Sequence, residues 1–352
     1  MKALVIKAKG QAIIATVPLP YLREDYILVK TTAVALNPTD WKHIDFAAGG
    51  NPTGALVGCD YAGIVQKVGS KVTKSFASGD RICGIVHGSN LTQKEDGAFA
   101  EYIVVKGDVQ LHIPDDMSDA EAATLGVGII TVGQGLYQSL KLPLPGTASE
   151  CDLIPLLIYG GSTATGALGI QFAKLSNCQV TTTCSPKNFS YVASLGADAY
   201  FDYNSGEAAE QIQNYTGGHL HNAWDCISTA QSARVCAAAL AGDCPVKYRA
   251  LLEVNDSVLQ SINPGVDNET TSSYTVFGEG FQKATWIEGR SQDFEFAKMF
   301  VENCEKLLEQ GVIKPVRPLV DLGGKGLVGV MKGLKHLKER RVSATKLVYS
   351  MP

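Results

Sequence analysis

β-Branched and alternating apolar positions dominate the first third of the chain. Ala3–Ile6, Gln11–Val17 and Tyr26–Val34 read as strands, since side chains two apart share a face and Val, Ile and Thr suit a pleated surface. Gly58-Cys-Asp-Tyr-Ala-Gly-Ile-Val-Gln-Lys-Val-Gly69 predicts a strand with glycine kinks, the mark of a small curved barrel. Gly79–Gly84 opens another strand, and Asp96–Val105 reads as a turn and a strand. Between them Asn37-Pro breaks the strand, and Thr39 is expected to cap a short helix carrying Asp40, Trp41 and Lys42. Ser118 and Glu121 form an S-x-x-E helix start.

From about residue 119 the period changes. Ala120–Leu140 predicts a helical stretch interrupted at Gly126 and Gly128. Strands are then expected at Leu153–Tyr159, Gln179–Thr183, Ala199–Asp202, Ala223–Ile227 and Tyr248–Val254. Helices are expected at Gly166–Leu175, Phe189–Leu195, Gly206–Tyr215 and Thr229–Leu240. Repeated βα units imply a doubly wound parallel sheet. Residues 255–285 are polar and irregular. Phe294–Gln310 and Gly326–Lys338 read as helices, and Pro315–Leu322 and Thr345–Tyr349 as strands. This tail lacks a core of its own and is expected to return to the β-rich start. The expectation is a nucleotide-binding domain over 121–272, inserted into a split catalytic domain of residues 1–120 and 273–352.

The stretch Tyr159-Gly-Gly-Ser-Thr-Ala-Thr-Gly-Ala-Leu-Gly169 joins the first strand and helix of that insert. Helix N-terminal N–H groups lack internal partners and lie at the positive end of the helix dipole, so a pyrophosphate is stabilised there. A strict G-x-G-x-x-G is absent. The register read from sequence is Ala164 to Gly169, with Ala164 for the first glycine, and alone it also fits an ordinary strand–helix turn. After the second strand, where an NAD site places a carboxylate on the ribose, the chain has Thr183-Cys-Ser-Pro-Lys-Asn188. Lys187 and Ser185 suit a 2′-phosphate, which a carboxylate would repel, and Tyr203 follows the next strand. Lys187 taken alone also fits a solvated helix start. The missing acid together with the lysine points to NADPH.

Composition removes other classes. The chain has 352 residues and a net charge of −4, which argues against nucleic acid or an anionic membrane surface. No run approaches the ~18 apolar residues of a membrane span, and the N-terminus reads as a strand. The nine cysteines, 59, 83, 151, 178, 184, 226, 236, 244 and 304, form no C-x-x-C and read as reduced, mostly buried thiols of a cytoplasmic enzyme. A zinc site is not expected. Asn37-Pro-Thr-Asp40 and Gly58-Cys-Asp60 stand where ligands would be needed, residues 85–105 hold no cysteine, and His43 and His87 lack spacing partners. Cys59 and Asp60 read better as packed strand residues than as ligands.

In these pieces the chain resembles the zinc-free, quinone-reductase-like branch of the medium-chain dehydrogenase/reductases. They are Asn37-Pro-Thr-Asp-Trp-Lys42, Gly58-Cys-Asp-Tyr-Ala-Gly63, Gly79-Asp-Arg81, Asp96-Gly-Ala-Phe-Ala-Glu-Tyr102 and the glycine turn. Tyr159-Gly-Gly-Ser-Thr-Ala-Thr165, Cys184-Ser-Pro-Lys-Asn188 and Tyr274-Thr-Val-Phe-Gly-Glu279 are similar to the fungal trans-acting enoyl reductases of polyketide biosynthesis. The resemblance implies a GroES-like β-barrel catalytic domain beside a Rossmann domain. It implies NADPH-dependent reduction of an α,β-unsaturated polyketide thioester on an acyl carrier protein, in transient contact with its polyketide synthase.

It places Thr39, Asp40, Trp41 and Lys42 beside the nicotinamide ribose; Lys42 is the candidate catalytic donor, and taken alone it equally fits a structural lysine on a surface turn. Ser162, Thr163, Ala164 and Thr165 would bind the pyrophosphate, and Ser185, Pro186, Lys187, Asn188 and Tyr203 the adenosine phosphate. Leu251, Leu252, Val342 and Ser343 complete the cofactor set. Thr131, Val132, Gly133, Gln134, Gly135, Leu136, Tyr137 and Gln138, with Thr275, Val276, Phe277, Gly278 and Glu279, would line the substrate channel. A free-standing quinone or alkenal reductase and a non-catalytic NADPH-binding scaffold are the alternatives. Asn263-Pro-Gly265 is expected to interrupt an edge strand, which favours a monomer.

Overall fold

The structure is a computed structural model that describes residues 1–46, 50–147, 153–242 and 245–352. Cys151 and Cys244 lie outside the described residues; the other seven cysteines are free thiols, six of them buried. The chain forms two compact units, Met1–Ile130 with Tyr274–Pro352, and Thr131–Ser273. The strands before the second unit are β1 (Lys2–Ala8), β2 (Gln11–Thr16), β3 (Tyr26–Ala35), β4 (Asp60–Val68), β5 (Arg81–Ile85), β6 (Tyr102–Lys106) and β7 (Leu111–His112). Those within it are β8 (Ile154–Tyr159), β9 (Cys178–Cys184), β10 (Ala199–Asp202), β11 (Asn222–Asp225), β12 (Val246–Ala250) and β13 (Val266–Thr270). Then come β14 (Phe281–Gln282), β15 (Trp286–Ile287), β16 (Pro318–Val320) and β17 (Lys346–Ser350).

In the first unit the sheet runs β16-β17-β3-β4-β5-β7, with β6 also on β3. The β3–β4 register shifts at Leu28/Val29 and again at Thr31/Ala33. Such bulges bend an antiparallel pair and curl the sheet. Leu4, Ile6, Ile27, Val29, Tyr61, Phe99, Ile103 and Tyr349 pack together in one buried core. Each such side chain contributes roughly 1.5–3 kcal/mol of hydrophobic burial. The tail closes this unit: β17 pairs antiparallel with β3, Val348 opposite Ala35.

A charged knot ties the same unit. Asp60 at the start of β4 and Lys346 at the start of β17 form an ion pair with side chains 0% and 3% exposed. The carboxylate also accepts from Asn37 Nδ2 at 2.8 Å and from the Val127 N–H at 2.6 Å. Four segments far apart in sequence meet on one side chain.

In the second unit six parallel strands run β10-β9-β8-β11-β12-β13. The strand order reverses between β8 and β11, the place where open α/β sheets bind ligands. Both faces are covered, which is why β8 reads as a continuous apolar run ending Leu156-Leu-Ile-Tyr159, all buried.

Three expectations are corrected. Val266–Thr270 is a strand, pairing in parallel with β12 from directly after Asn263-Pro-Gly265. That tripeptide leads into the edge strand instead of removing it, so the premise offered for a monomer does not hold. The break in the Ala120–Leu140 stretch falls at 123–125; Gly126 starts the helix Gly126–Val132, which continues as a π-helical turn, Gly133–Ser139. Ser118 does form its capping box with Glu121. The helix Pro38–Phe46 starts at Pro38, where the missing N–H costs nothing, so Thr39 lies in its first turn and does not cap it.

Candidate active site

The glycine turn is built as follows. β8 ends at Tyr159, and Gly160 takes φ 86°, which a side chain would strain. The helix Ala164–Leu175 starts after Thr163, whose hydroxyl accepts from the Gly166 N–H at 2.9 Å and donates to the Gly160 carbonyl at 2.8 Å. A Cβ on Gly166 would lie 2.4 Å from that carbonyl oxygen. Close helix–strand contact is the task of the last fingerprint glycine. A Cβ on Gly169 would likewise lie 2.3 Å from the Trp224 ring of β11, so the Ala164–Gly169 register expected from sequence also ends on a close-packed glycine, beside the spacing Gly161-Ser-Thr-Ala-Thr-Gly166.

Polar side chains gather at the C-terminal ends of the neighbouring strands. Asn188 Nδ2 donates to Ser162 Oγ at 3.2 Å, and Ser185 Oγ donates to the Tyr203 hydroxyl at 3.2 Å. Pro186 and Lys187 are exposed on the turn Pro186–Asn188 between them. Asp202, which ends β10, accepts from the Asn204 N–H at 3.0 Å and from Asn204 Nδ2 at 3.1 Å, closing its own turn. After β11, Asp225 Oδ1 accepts from the N–H groups of Ile227 and Ser228 at 2.8 and 2.9 Å, and Oδ2 from the Tyr248 hydroxyl at 2.7 Å. Burial raises the Asp225 pKa, and these donors oppose the rise. Ser228, at φ 57°, accepts from the Leu251 N–H at 2.9 Å, which fixes Leu251; Leu252 is 46% exposed.

Thr131 to Gln138 end the helix Gly126–Val132 and enter the π-helical turn. All but Gln138 are buried, and the Tyr137 hydroxyl donates to the Phe172 carbonyl at 3.2 Å. A π-turn is a frequent companion of functional sites.

The first unit carries a second constellation. The Thr39 hydroxyl and the Tyr274 hydroxyl are 2.9 Å apart, and Cys59 Sγ is 3.7 Å from the same phenol oxygen. Tyr274 stacks on His87, with ring centroids 4.4 Å apart. Lys283 Nζ lies 4.3 Å from the Tyr274 ring centroid and 2.8 Å from His43 Nε2. Burial, then the Lys283 charge, pushes His43 down to about 3, so this imidazole is neutral and accepts from the ammonium. Burial lowers Lys283 to about 8. Burial, then Cys59, raises the Tyr274 phenol well above its ordinary value. Asp40 is fully buried; Oδ2 accepts from the Asn37 N–H at 2.6 Å, and burial raises the carboxyl to about 7. Lys42 is half-buried with Nζ 5.9 Å from the Trp41 ring centroid, and burial lowers its pKa.

Thr275, Val276 and Phe277 are buried, and Thr275 donates to Asp293. Glu279 accepts from the Tyr26 hydroxyl at 2.9 Å and pairs with Lys106 at 2.7 Å. Val342 packs on the core of this unit and Ser343 is exposed.

Residues 23–115 match the model of the alcohol dehydrogenase GroES-like domain, and residues 164–260 that of the zinc-binding dehydrogenase. The trans-enoyl reductase resD of Aspergillus sclerotiorum is 46% identical over 365 residues, covering 99% of both chains. The chain belongs to the trans-enoyl reductases. The reductase is also 52% identical over 281 residues to trans-enoyl reductase TOXD of Cochliobolus carbonum, covering 80% of this chain and 91% of that one. A mycobacterial protein solved in complex with NADPH shares the fold, at TM-score 0.76 and 17% identity over 99% of this chain and 100% of that one.

Zinc, named in one family description, does not fit the residues of this reductase. The Asp60 carboxylate is held by Lys346, Asn37 and Val127, and a lysine ammonium occupies its neighbourhood. Burial, then Asp40, raises the Cys59 thiol well above its ordinary value, which disfavours the thiolate a metal requires. No group of three or more His, Cys, Asp or Glu among the described residues is placed to hold a metal. No described helix is long and apolar enough to cross a membrane.

Sequence reasoning did not bring Tyr274, His43, His87, Lys283, Asp225 or Ser228 into the candidate site. His43 had a signal: four residues after Thr39 on a helix, it shares that residue's face.

Proposed function

We propose that this reductase uses NADPH to reduce the α,β double bond of an acyl thioester presented on the carrier protein of a polyketide synthase. The observation that carries the cofactor reading is the cluster of Ser162, Asn188, Ser185 and Tyr203 at the ends of β8, β9 and β10, with Lys187 exposed beside it. Hydroxyls, an amide and a cation are phosphate ligands. The carboxylate nearest in register, Asp202 opposite Cys184, is engaged by Asn204.

When bound, NADPH supplies a hydride to the β-carbon. The N–H groups opening the helix Ala164–Leu175 and the hydroxyls of Ser162 and Thr165 hold the pyrophosphate. Ser185, Lys187, Asn188 and Tyr203 hold the adenosine phosphate, and Leu251, Leu252, Val342 and Ser343 complete the cofactor contacts. Thr39, Asp40, Trp41 and Lys42 line the nicotinamide ribose. Thr131–Gln138 and Thr275–Glu279 shape the channel for the acyl chain. As hydride arrives, negative charge builds on the thioester oxygen, and the Lys42 ammonium stabilises it. Partial burial strengthens that interaction by lowering the local dielectric.

The test is turnover of short 2-enoyl thioesters of graded chain length, with NADPH and NADH compared and with a quinone and a free enal as rival substrates. Preference for NADPH and for thioesters supports the reading. Preference for the quinone or enal assigns a detoxifying reductase, and no turnover of any of them a binding scaffold. Lys42→Ala is expected to lower kcat about 100-fold; unchanged kcat and KM would remove Lys42 from the mechanism.

A further inference from the structure

We infer that Tyr274 is the acid that protonates the α-carbon of the reduced substrate, with Lys283 as the counter-charge for the phenolate it leaves. This rests on the thioester reading above and names a residue that reading leaves open. Thr39 and Lys42 are three apart on the helix Pro38–Phe46, so they share a face. The Thr39 hydroxyl is 2.9 Å from the Tyr274 phenol. The Tyr274 phenol thus contacts the helix face that carries the proposed oxygen-stabilising ammonium.

Two groups pack on the ring. His87 stacks on it at 4.4 Å, and Lys283 Nζ lies 4.3 Å from its centroid. His43 accepts from Lys283 and fixes the ammonium in that position. An ammonium over the ring favours the anionic product of proton loss. The resting phenol keeps its proton, because burial and the neighbouring Cys59 and Asp40 oppose ionisation. The groups facing Lys283 are His43, Tyr274, Cys59 and His87, and burial holds both histidines neutral.

The step balances as follows. Hydride forms the β-C–H bond, and the π pair of the double bond becomes the enolate. The enolate α-carbon takes the Tyr274 proton; the O–H pair stays on the phenolate oxygen. A proton from bulk water restores the phenol after release. One thioester, one hydride and one solvent proton give one saturated thioester.

Wild type, Tyr274→Phe, Lys283→Met and Lys283→Arg are compared on the pantetheine thioester of 2-butenoate in deuterium oxide, and NADPH binding is measured by fluorescence titration. Wild type should place deuterium on one face of the α-carbon. Tyr274→Phe should lower kcat about 100-fold and deliver deuterium to both faces, with NADPH affinity within about twofold. Lys283→Met should lower kcat about tenfold and Lys283→Arg recover most of it, because charge is what matters. Tyr274→Phe within twofold of wild-type kcat, with one-face labelling, overturns the inference alone. A wild type inert towards the thioester overturns the thioester reading, and the inference with it. Should Tyr274→Phe lose NADPH binding through misfolding, the lysine variants decide: equal kcat in Lys283→Met and wild type refutes the assignment.

Discussion

Lys346→Met removes the cation from the Asp60 knot while nearly conserving volume. The carboxylate, 0% exposed, keeps its bonds from Asn37 and Val127 but loses its counter-charge. Breaking a buried pair from one side costs roughly 3–5 kcal/mol, since the remaining charge has no water to turn to. The affected unit has about 200 residues, Met1–Ile130 with Tyr274–Pro352. For that size each kcal/mol moves Tm by roughly 2–4 °C, so a fall of about 10 °C is expected. Differential scanning calorimetry with and without urea reads it. Asp60→Asn/Lys346→Met removes both charges and leaves an amide oxygen for the Val127 N–H. It should be more stable than Lys346→Met alone, with a coupling of about 2 kcal/mol. A loss below about 1 kcal/mol in Lys346→Met, or additive behaviour in the double variant, would refute the reasoning.

Three further outcomes follow from the geometry. Lys187→Ala should raise the Kd for NADPH about tenfold and leave that for NADH unchanged, read by fluorescence titration; equal effects would dismiss the phosphate role. Gly166→Ala drives a Cβ to 2.4 Å from the Gly160 carbonyl, so it should cost about 1–3 kcal/mol in thermal denaturation and weaken NADPH binding with it. Asp40 has a folded pKa of about 7, raised by burial above its ordinary 3.8. The stability of its protonated form is full below the unfolded value and is lost as pH rises through the folded one. Wild type should therefore lose stability between about pH 4 and pH 7, and Asp40→Asn should lose less over the same window.

The βα alternation was legible because each strand and helix is long enough to show its own period. β10 and the helix Gly326–Lys338 even fall on the residues expected. β13 was not legible: Val266-Asp-Asn-Glu-Thr270 has one apolar residue, and its pairing with β12 decides its structure where propensity does not. Spacing fits the fingerprint at Ala164–Gly169 and at Gly161–Gly166, and both closing glycines are close-packed, Gly166 on the Gly160 carbonyl and Gly169 on the Trp224 ring. Ser162, Ser185, Asn188 and Tyr203 were read from sequence because their positions follow strand ends. The Tyr274 cluster was not, because Thr39, Cys59, His87 and Lys283 come from four segments and only tertiary folding joins them.

The pairing of β17 with β3, sealed by Lys346 on Asp60, also sets an order of events during translation. The second unit is contiguous, Thr131–Ser273, and its parallel sheet can close as soon as the ribosome has released it. The first unit cannot. The end of β3 must wait for a partner more than 300 residues later, with Asp60 lacking its lysine and Ala33–Ala35 open along one edge in the interval. A ribosome pause before residue 346 would therefore leave a nascent chain with a finished parallel-sheet unit and an unfinished, aggregation-exposed barrel.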